Sequence, residues 1–250
     1  LADAVHNLGD VLGLILAWAA TRLMQRKPTP RATYGMKKTS ILAALLNGAL
    51  LIFSCGVIVT EAIYKLMYPS EIHALSVMMV AGMGILVNGA TALLFLRGSD
   101  DLNIRGAYLH LLYDALVSVG VVIAAVFYYY TKWLWIDPLM GLLIAGVILK
   151  GTWALFTDSF RLIIDGVPRS ISSIAVSQFF LSKPGVQGIH DLHIWAISTK
   201  ENALSVHLYM PDEDLPDTLR KAWVDELKAD FDIHQITIQI ERNITCCEEK

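Results

Sequence analysis

Apolar positions run almost without a break through the first two thirds of the chain, then give way to short alternating stretches, so one sequence carries two kinds of structure. Five apolar runs reach the ~20 residues a helix needs to cross a hydrocarbon layer. They are Leu1 to Met24, Thr39 to Met67, Leu75 to Leu96, Leu102 to Tyr130, and Ile136 to Leu155 with a continuation toward Ile164. Between them lie a basic loop (Arg22, Arg26, Lys27, Arg31, Lys37, Lys38), a turn at Tyr68 and Pro69, the segment Arg97 to Asp101, and a turn over Lys132 to Pro138. From Pro168 the pattern predicts helix (Ser170 to Leu181), strand (Gly188 to Ile197), turn (Lys200 to Asn202), strand (Ala203 to Met210), helix (Leu215 to Phe231) and strand (His234 to Glu241). The last strand alternates Ile236, Ile238 and Ile240 with Thr237, Gln239 and Glu241, and Leu215, Leu219, Trp223 and Leu227 form a helical stripe to cover one sheet face. The expected fold class is an α-helical membrane domain, residues 1–165, followed by an α+β domain of α-β-β-α-β order, residues 166–250.

Composition narrows the class. Hydrophobic residues make up 55% and charged residues 17%, with a mean hydropathy of +0.51, which excludes disorder and an ordinary soluble domain. A net charge of -3 offers no general basic surface, so nucleic acid is not an expected partner. Of three cysteines, Cys55 sits in an apolar run and Cys246 and Cys247 are adjacent, which does not make a disulfide framework. Placing the basic loop inside puts eight Lys/Arg on that side across the first and third loops, against Lys65 and Lys132 outside. The positive-inside rule then assigns the C-terminal domain to the cytoplasm. Leu1 falls on the outer side with no basic flank or signal peptide before it, so a further preceding span, six in all, is expected.

Ionisable side chains in mid-membrane cost at least ~2.5 to 3.5 kcal/mol each on insertion scales, which makes each one a functional candidate. The first run holds Asp3, His6 and Asp10, and the fourth holds His110 and Asp114; His6/Asp10 and His110/Asp114 are the two His-x-x-x-Asp pairs of the chain. Spacing i, i+4 puts imidazole and carboxylate on one helix face, so two such faces make a four-ligand site of two nitrogens and two oxygens. At 1.5 Å per residue, Asp10 is about 18 Å from Arg22 and His110 about 12 Å from Leu102, and opposed helices meet near the midplane. Such a shell suits zinc, with cadmium and cobalt as guests, whereas magnesium or calcium would want oxygen ligands throughout. The competing reading is two structural His–Asp pairs that hold helices together. Asn47 and Asn88 are expected to bond neighbouring helices, and Gly82, Gly84, Gly89, Gly141 and Gly146 to permit close helix contact.

The segments Leu-Ala-Asp-Ala-Val-His-Asn-Leu-Gly-Asp from Leu1, Ile-Leu-Ala-Ala-Leu-Leu-Asn-Gly from Ile41, Arg-Gly-Ala-Tyr-Leu-His-Leu-Leu-Tyr-Asp-Ala-Leu from Arg105 and Asp-Pro at 137 resemble the cation diffusion facilitator family of zinc transporters. The resemblance covers essentially the whole chain. It implies homodimers in a membrane that export zinc from the cytoplasm in exchange for protons, with His6, Asp10, His110 and Asp114 binding the transported ion. The short third loop lacks the histidines that animal members often carry there, which points to a bacterial inner membrane. The family also implies a charge interlock between helices, for which Lys37 and Asp165 are the expected pair.

The C-terminal domain holds His190, His193, His207 and His234, followed by Glu241, Cys246 and Cys247. The set His190, His207, His234 and Glu241 with the trailing cysteines resembles the binuclear zinc site that some family members build at their dimer interface. Solvated strand histidines are the alternative, and His193 is the weakest member, expected to pack beside Trp195. Three function classes remain in view. A secondary transporter is favoured; a membrane metalloenzyme would need an open coordination position and a general base, as in His-Glu-x-x-His, which the sequence lacks; a non-transporting metal sensor or partner subunit is the third.

Overall fold

A computed structural model describes Gly13 and residues 15–69, 74–96, 102–211 and 215–243. His6, Asp10, Asp3, Cys246 and Cys247 lie outside the described residues. Helix α1 is Ile15–Met24. Four longer helices follow, α2 (Thr39–Met67), α3 (Ala74–Phe95), α4 (Leu102–Thr131) and α5 (Ile136–Ile163), each long and apolar enough to cross a membrane. Their ends have local causes. Pro69 lacks an N–H and disfavours helical geometry at the residue before it, and α2 accordingly ends with Tyr68 at φ -130, ψ 74. Lys132 turns into the left-handed region (φ 57) after α4, and Pro138 sits in the first turn of α5, where a missing N–H costs nothing.

Helix α2 packs along α5, and α3 along α4, with α4 and α5 joining the two pairs. Gly48 lets α2 approach the backbone of Phe156 on α5, and Gly120 and Gly151 admit the side chains of Ile144 and Tyr113 between α4 and α5. Of the glycines expected at close contacts, Gly84 and Gly141 do meet Ser118 and Ala62, whereas Gly82, Gly89 and Gly146 face open space. Outside its contact with α4, α3 presents Leu75, Val80, Leu86 and Leu94 to the surroundings at 67 to 80% exposure, the surface of a helix that faces acyl chains. Exposed Tyr64, Tyr68, Tyr130, Trp133 and Trp135 gather at one set of helix ends, where amphipathic rings sit at a membrane–water boundary. The chain is an integral membrane protein.

The C-terminal part consists of α6 (Ser173–Leu181), β1 (Gly188–Ala196), β2 (Asn202–Tyr209), α7 (Asp217–Phe231) and β3 (Ile233–Glu241), in the predicted order. Ser172 caps α6 by accepting from Ala175 N at 3.3 Å. The sheet runs β1-β2-β3, with β1 antiparallel to β2 and β2 parallel to β3. Ile194, Leu204, Val206 and Leu208 share one face with Ile236, Ile238 and Ile240, and Val176, Phe180, Trp223 and Leu227 of the two helices pack against it. Burying each such side chain contributes roughly 1.5–3 kcal/mol. Leu219, expected in that stripe, is 43% exposed: it lies in the first turn of α7, ahead of the turns that Trp223 and Leu227 anchor. The other face carries His207, Tyr209, Gln239 and Glu241.

Strand β1 holds one extra residue between His190 and His193, where the register to β2 shifts, and Asp191 takes φ 46 there. The bulge reverses the strand's inside–outside parity. His190 pairs with His207 on the open face, while Ile194 pairs with Leu204 on the core face.

The two parts meet where α2 begins. Lys38 Nζ donates to Asp165 Oδ1 at 2.6 Å, and Lys37 Nζ donates to Glu201 Oε2 at 2.6 Å. The expected Lys37–Asp165 pair is thus corrected by one residue. Successive helical positions diverge by about 100°, so only one of the two lysines can face the end of α5, and the other reaches the β1–β2 turn. Thr199 N donates to Ser40 Oγ at 3.1 Å, and Ile41 packs with Leu162 and Ala196. Lys38 and Asp165 are 45% and 56% exposed and Lys37 and Glu201 27% and 31%, so the second pair is the less screened. In double-mutant cycles followed by thermal unfolding, Lys38/Asp165 should couple by ~0.2 to 1 kcal/mol and Lys37/Glu201 by more. Full additivity for Lys37/Glu201 would show that this contact does not tie the two parts together.

Candidate metal centres

Helix α4 brings His110 and Asp114 one turn apart on a face that is largely closed off. Their side chains are 9% and 11% exposed, with Nε2 and Oδ2 3.6 Å apart. That separation is long for a hydrogen bond and short enough for one cation to take both atoms. On the same helix Tyr113 is buried at 5% exposure, as is Asn47 on α2 at 6%. His6 and Asp10, the other expected half, lie outside the described residues, so the four side chains are not seen together.

A cavity of about 220 Å³ opens elsewhere, toward the far ends of α2, α4 and α5, and neither His110 nor Asp114 lines it. Glu61, Lys65 and Asp137 do. Lys65 Nζ stands 3.2 Å from Glu61 Oε1 and 3.0 Å from Asp137 Oδ2, so the cavity wall is an ion triad with its charges mutually engaged.

In the C-terminal domain the sheet register assembles a second cluster. His190 and His207 are direct cross-strand partners, with ring centroids 5.1 Å apart at 82°. Glu241 lies two positions beyond Gln239, the partner of His207 on β3, and so shares its face. The carboxylate bridges both rings: Oε2 is 3.0 Å from His190 Nε2, and Oε1 is 3.0 Å from His207 Nδ1. One ligand atom from each of His190, His207 and Glu241 falls within 4.8 Å of the others, the one such group of His, Cys, Asp and Glu among the described residues. Two imidazole nitrogens and a carboxylate oxygen suit zinc.

The other expected members part from this cluster. His234 is the second residue of β3, seven residues or about 23 Å of extended chain from Glu241, and its Nε2 faces Asp232 Oδ1 at 3.7 Å. His193 is exposed and stands opposite Ser205. Cys246 and Cys247 lie outside the described residues. Three acidic residues were missed by sequence reasoning. Asp191 brings Oδ2 to 3.8 Å from His207 Nδ1. Glu201 anchors Lys37. Asp158, its side chain 13% exposed, holds Arg169 Nε at 2.6 Å and Arg105 Nη1 at 3.5 Å, joining α4, α5 and the segment leading to α6. An acid near a helix end was the only signal for Asp158, and none marked Glu201.

Residues 1–164 match the family model described as the cation efflux transmembrane domain, and residues 168–243 match the cytoplasmic domain of cation efflux proteins. A cadmium, cobalt and zinc/H(+)-K(+) antiporter of Bacillus velezensis is 35% identical over 248 residues, covering 96% of this chain and 79% of the relative. The metal cation efflux system protein CzcD of Cupriavidus metallidurans is 34% identical over 252 residues, covering 100% and 79%. The zinc transporter ZitB of Escherichia coli is 32% identical over 244 residues, covering 96% and 78%. The chain belongs to the cation efflux family, the cation diffusion facilitators, and is a metal cation transporter rather than an enzyme.

Proposed function

We propose that this protein exports zinc, with cadmium and cobalt as secondary cargo, from the cytoplasm in exchange for protons, as a homodimer in a bacterial inner membrane. Residues 1–165 form the membrane domain in this reading, and residues 166–250 a cytoplasmic domain that binds metal and joins the protomers. The observation that supports it most is the closed His110–Asp114 face on α4, in a chain whose relatives are named for zinc, cadmium and cobalt. His110 and Asp114 supply one nitrogen and one oxygen to the cargo ion, and His6 and Asp10 supply the other two. Both residue types bind protons and metal at the same atoms, so loading the ion displaces protons, and protons arriving on the outer side help release it. The relatives named as antiporters are consistent with such an exchange.

His190, His207 and Glu241 are the residues that would hold a resident zinc in the cytoplasmic domain, with His234, Cys246 and Cys247 as further ligands to be tested. Zinc there would supply a cross-link between strands and, in a dimer, between protomers. The chain's own contribution is the sheet register that brings the three groups to one face.

The experiment is zinc flux into proteoliposomes under an imposed pH gradient. Zinc uptake driven by the gradient and accompanied by counter-movement of protons is the expected result. A protein that binds zinc without moving it would be a sensor or partner subunit instead. A pH titration checks the exchange chemistry: zinc affinity of the membrane site should fall as pH is lowered, because protons compete with the ion for imidazole and carboxylate. An affinity constant between about pH 5.5 and 7.5 would contradict exchange at this site.

A further inference from the structure

Asn47 is 6% exposed on α2, and its amide fills a crevice between two other helices. A methyl built on Gly13 would stand 2.6 Å from Asn47 Oδ1, and one built on Gly106 would stand 2.5 Å from Nδ2. One end of the amide therefore abuts the backbone at Gly13, two residues before α1, and the other abuts α4. Leu155 of α5 closes the side at 3.6 Å from the Gly106 position. At the next position a Cβ built on Gly48 would stand 3.4 Å from the Phe156 backbone, so α2 also lies close against α5 there.

The two glycines are not arbitrary points on their helices. Gly13 follows Asp10 by three positions, and Gly106 precedes His110 by four, one turn of α4. A short, planar, rigid side chain thus stands between α4 and the backbone at Gly13, three residues beyond the first His-x-x-x-Asp motif. Metal sites tolerate ligand distances only within about 0.2 Å, and a four-ligand site built from two helices depends on the distance between those helices. We propose that Asn47 is a positioning residue of the membrane metal site, a spacer that fixes how far α4 stands from the backbone at Gly13. The proposal rests on the reading that His6, Asp10, His110 and Asp114 share one ion.

The test uses the full chain in detergent, carrying His207→Ala to disable the second cluster, with cobalt(II) as the probe. Tetrahedral cobalt absorbs strongly in the visible range, so a titration reports affinity and the spectrum reports geometry. Asn47→Ala should lower cobalt affinity about tenfold or more and weaken the tetrahedral bands, a change that loss of stability alone does not produce in the folded fraction. Gly106→Ala should do the same by forcing the amide aside. Gly106→Ala should cost little more once Asn47→Ala has emptied the crevice. Asn47→Ser serves the same comparison if Asn47→Ala does not fold. Unchanged affinity and spectrum in the Asn47 variants, or losses that add fully with Gly106→Ala, would overturn the proposal. Asp114→Ala separates the two levels: if it leaves the cobalt spectrum intact, the membrane site itself is wrong and the spacer falls with it, whereas loss in Asp114→Ala without any change in the Asn47 variants overturns the spacer alone.

Discussion

Asp114→Ala is expected to reduce zinc flux in proteoliposomes to background while leaving the protein dimeric. Asp114 sits 3.6 Å from His110 with a side chain only 11% exposed, in a helix that crosses the membrane. A carboxylate kept at that depth is costly unless a cation or a hydrogen-bond partner answers it. If Asp114 is one of four ligands, as proposed, removing it weakens the site by more than the ten- to hundredfold typical of an outer-shell partner, so a loss of about 100-fold or greater in affinity is expected. The structural alternative, in which His110 and Asp114 hold each other and nothing else, makes a different forecast for Asp114→Asn. An amide keeps the shape and the hydrogen-bonding capacity but not the charge that a dication requires. Zinc flux in Asp114→Asn should therefore be as low as in Asp114→Ala; near-normal flux would identify the pair as structural.

The second large effect is expected in the C-terminal domain, which has its own core of α6, α7 and sheet residues. Zinc bound to the folded domain alone stabilises it by linkage, about 2.7 kcal/mol when free zinc is 100 times Kd. For a domain of roughly 80 residues, 1 kcal/mol moves Tm by about 4–8 °C, so a segment spanning residues 166–250 should melt about 10–20 °C higher in zinc than in chelator. His207→Ala should abolish the shift, because His207 is the ring that both the His190 pairing and the Glu241 bridge converge on. Glu241→Ala should do the same. His193→Ala and His234→Ala should leave it, since neither side chain reaches the cluster in the protomer. Cys246→Ser should reduce it to the extent that a tail thiolate completes the shell. A Tm indifferent to zinc would mean that the three groups form an ion-pair cluster and nothing more.

The four long helices and the sequence of helices and strands in the C-terminal part could be read from the chain because hydropathy and alternation depend only on neighbours along it. The bulge in β1 was not read from the sequence, although it leaves a trace there: Ile189 to Leu192 spans three positions where a regular strand would use two. Contacts that depend on rotation about a helix or on the end of a strand were less accessible. Lys37 and Lys38 are indistinguishable by composition, and only the direction of α2 against α5 assigns Asp165 to Lys38. His234 carries the right ligand chemistry but occupies the wrong end of β3, because β2 and β3 are parallel and Tyr209 pairs with Glu241. Asn47 announced itself as a buried amide, while its fit between Gly13 and Gly106 required three helices placed at once.

Helix lengths carry one more consequence. Helix α3 has 22 residues, about 33 Å, whereas α2, α4 and α5 have 29, 30 and 28, or about 42–45 Å. Hydrocarbon layers are about 30 Å thick, so over the described residues α2, α4 and α5 overrun them while α3 matches them. A bilayer thinner or thicker than α3 would be met by tilting that helix. Because α3 leans on α4, any such tilt is passed to the helix that bears His110 and Asp114. Acyl-chain length is thus a variable to which the proposed ion site is mechanically exposed.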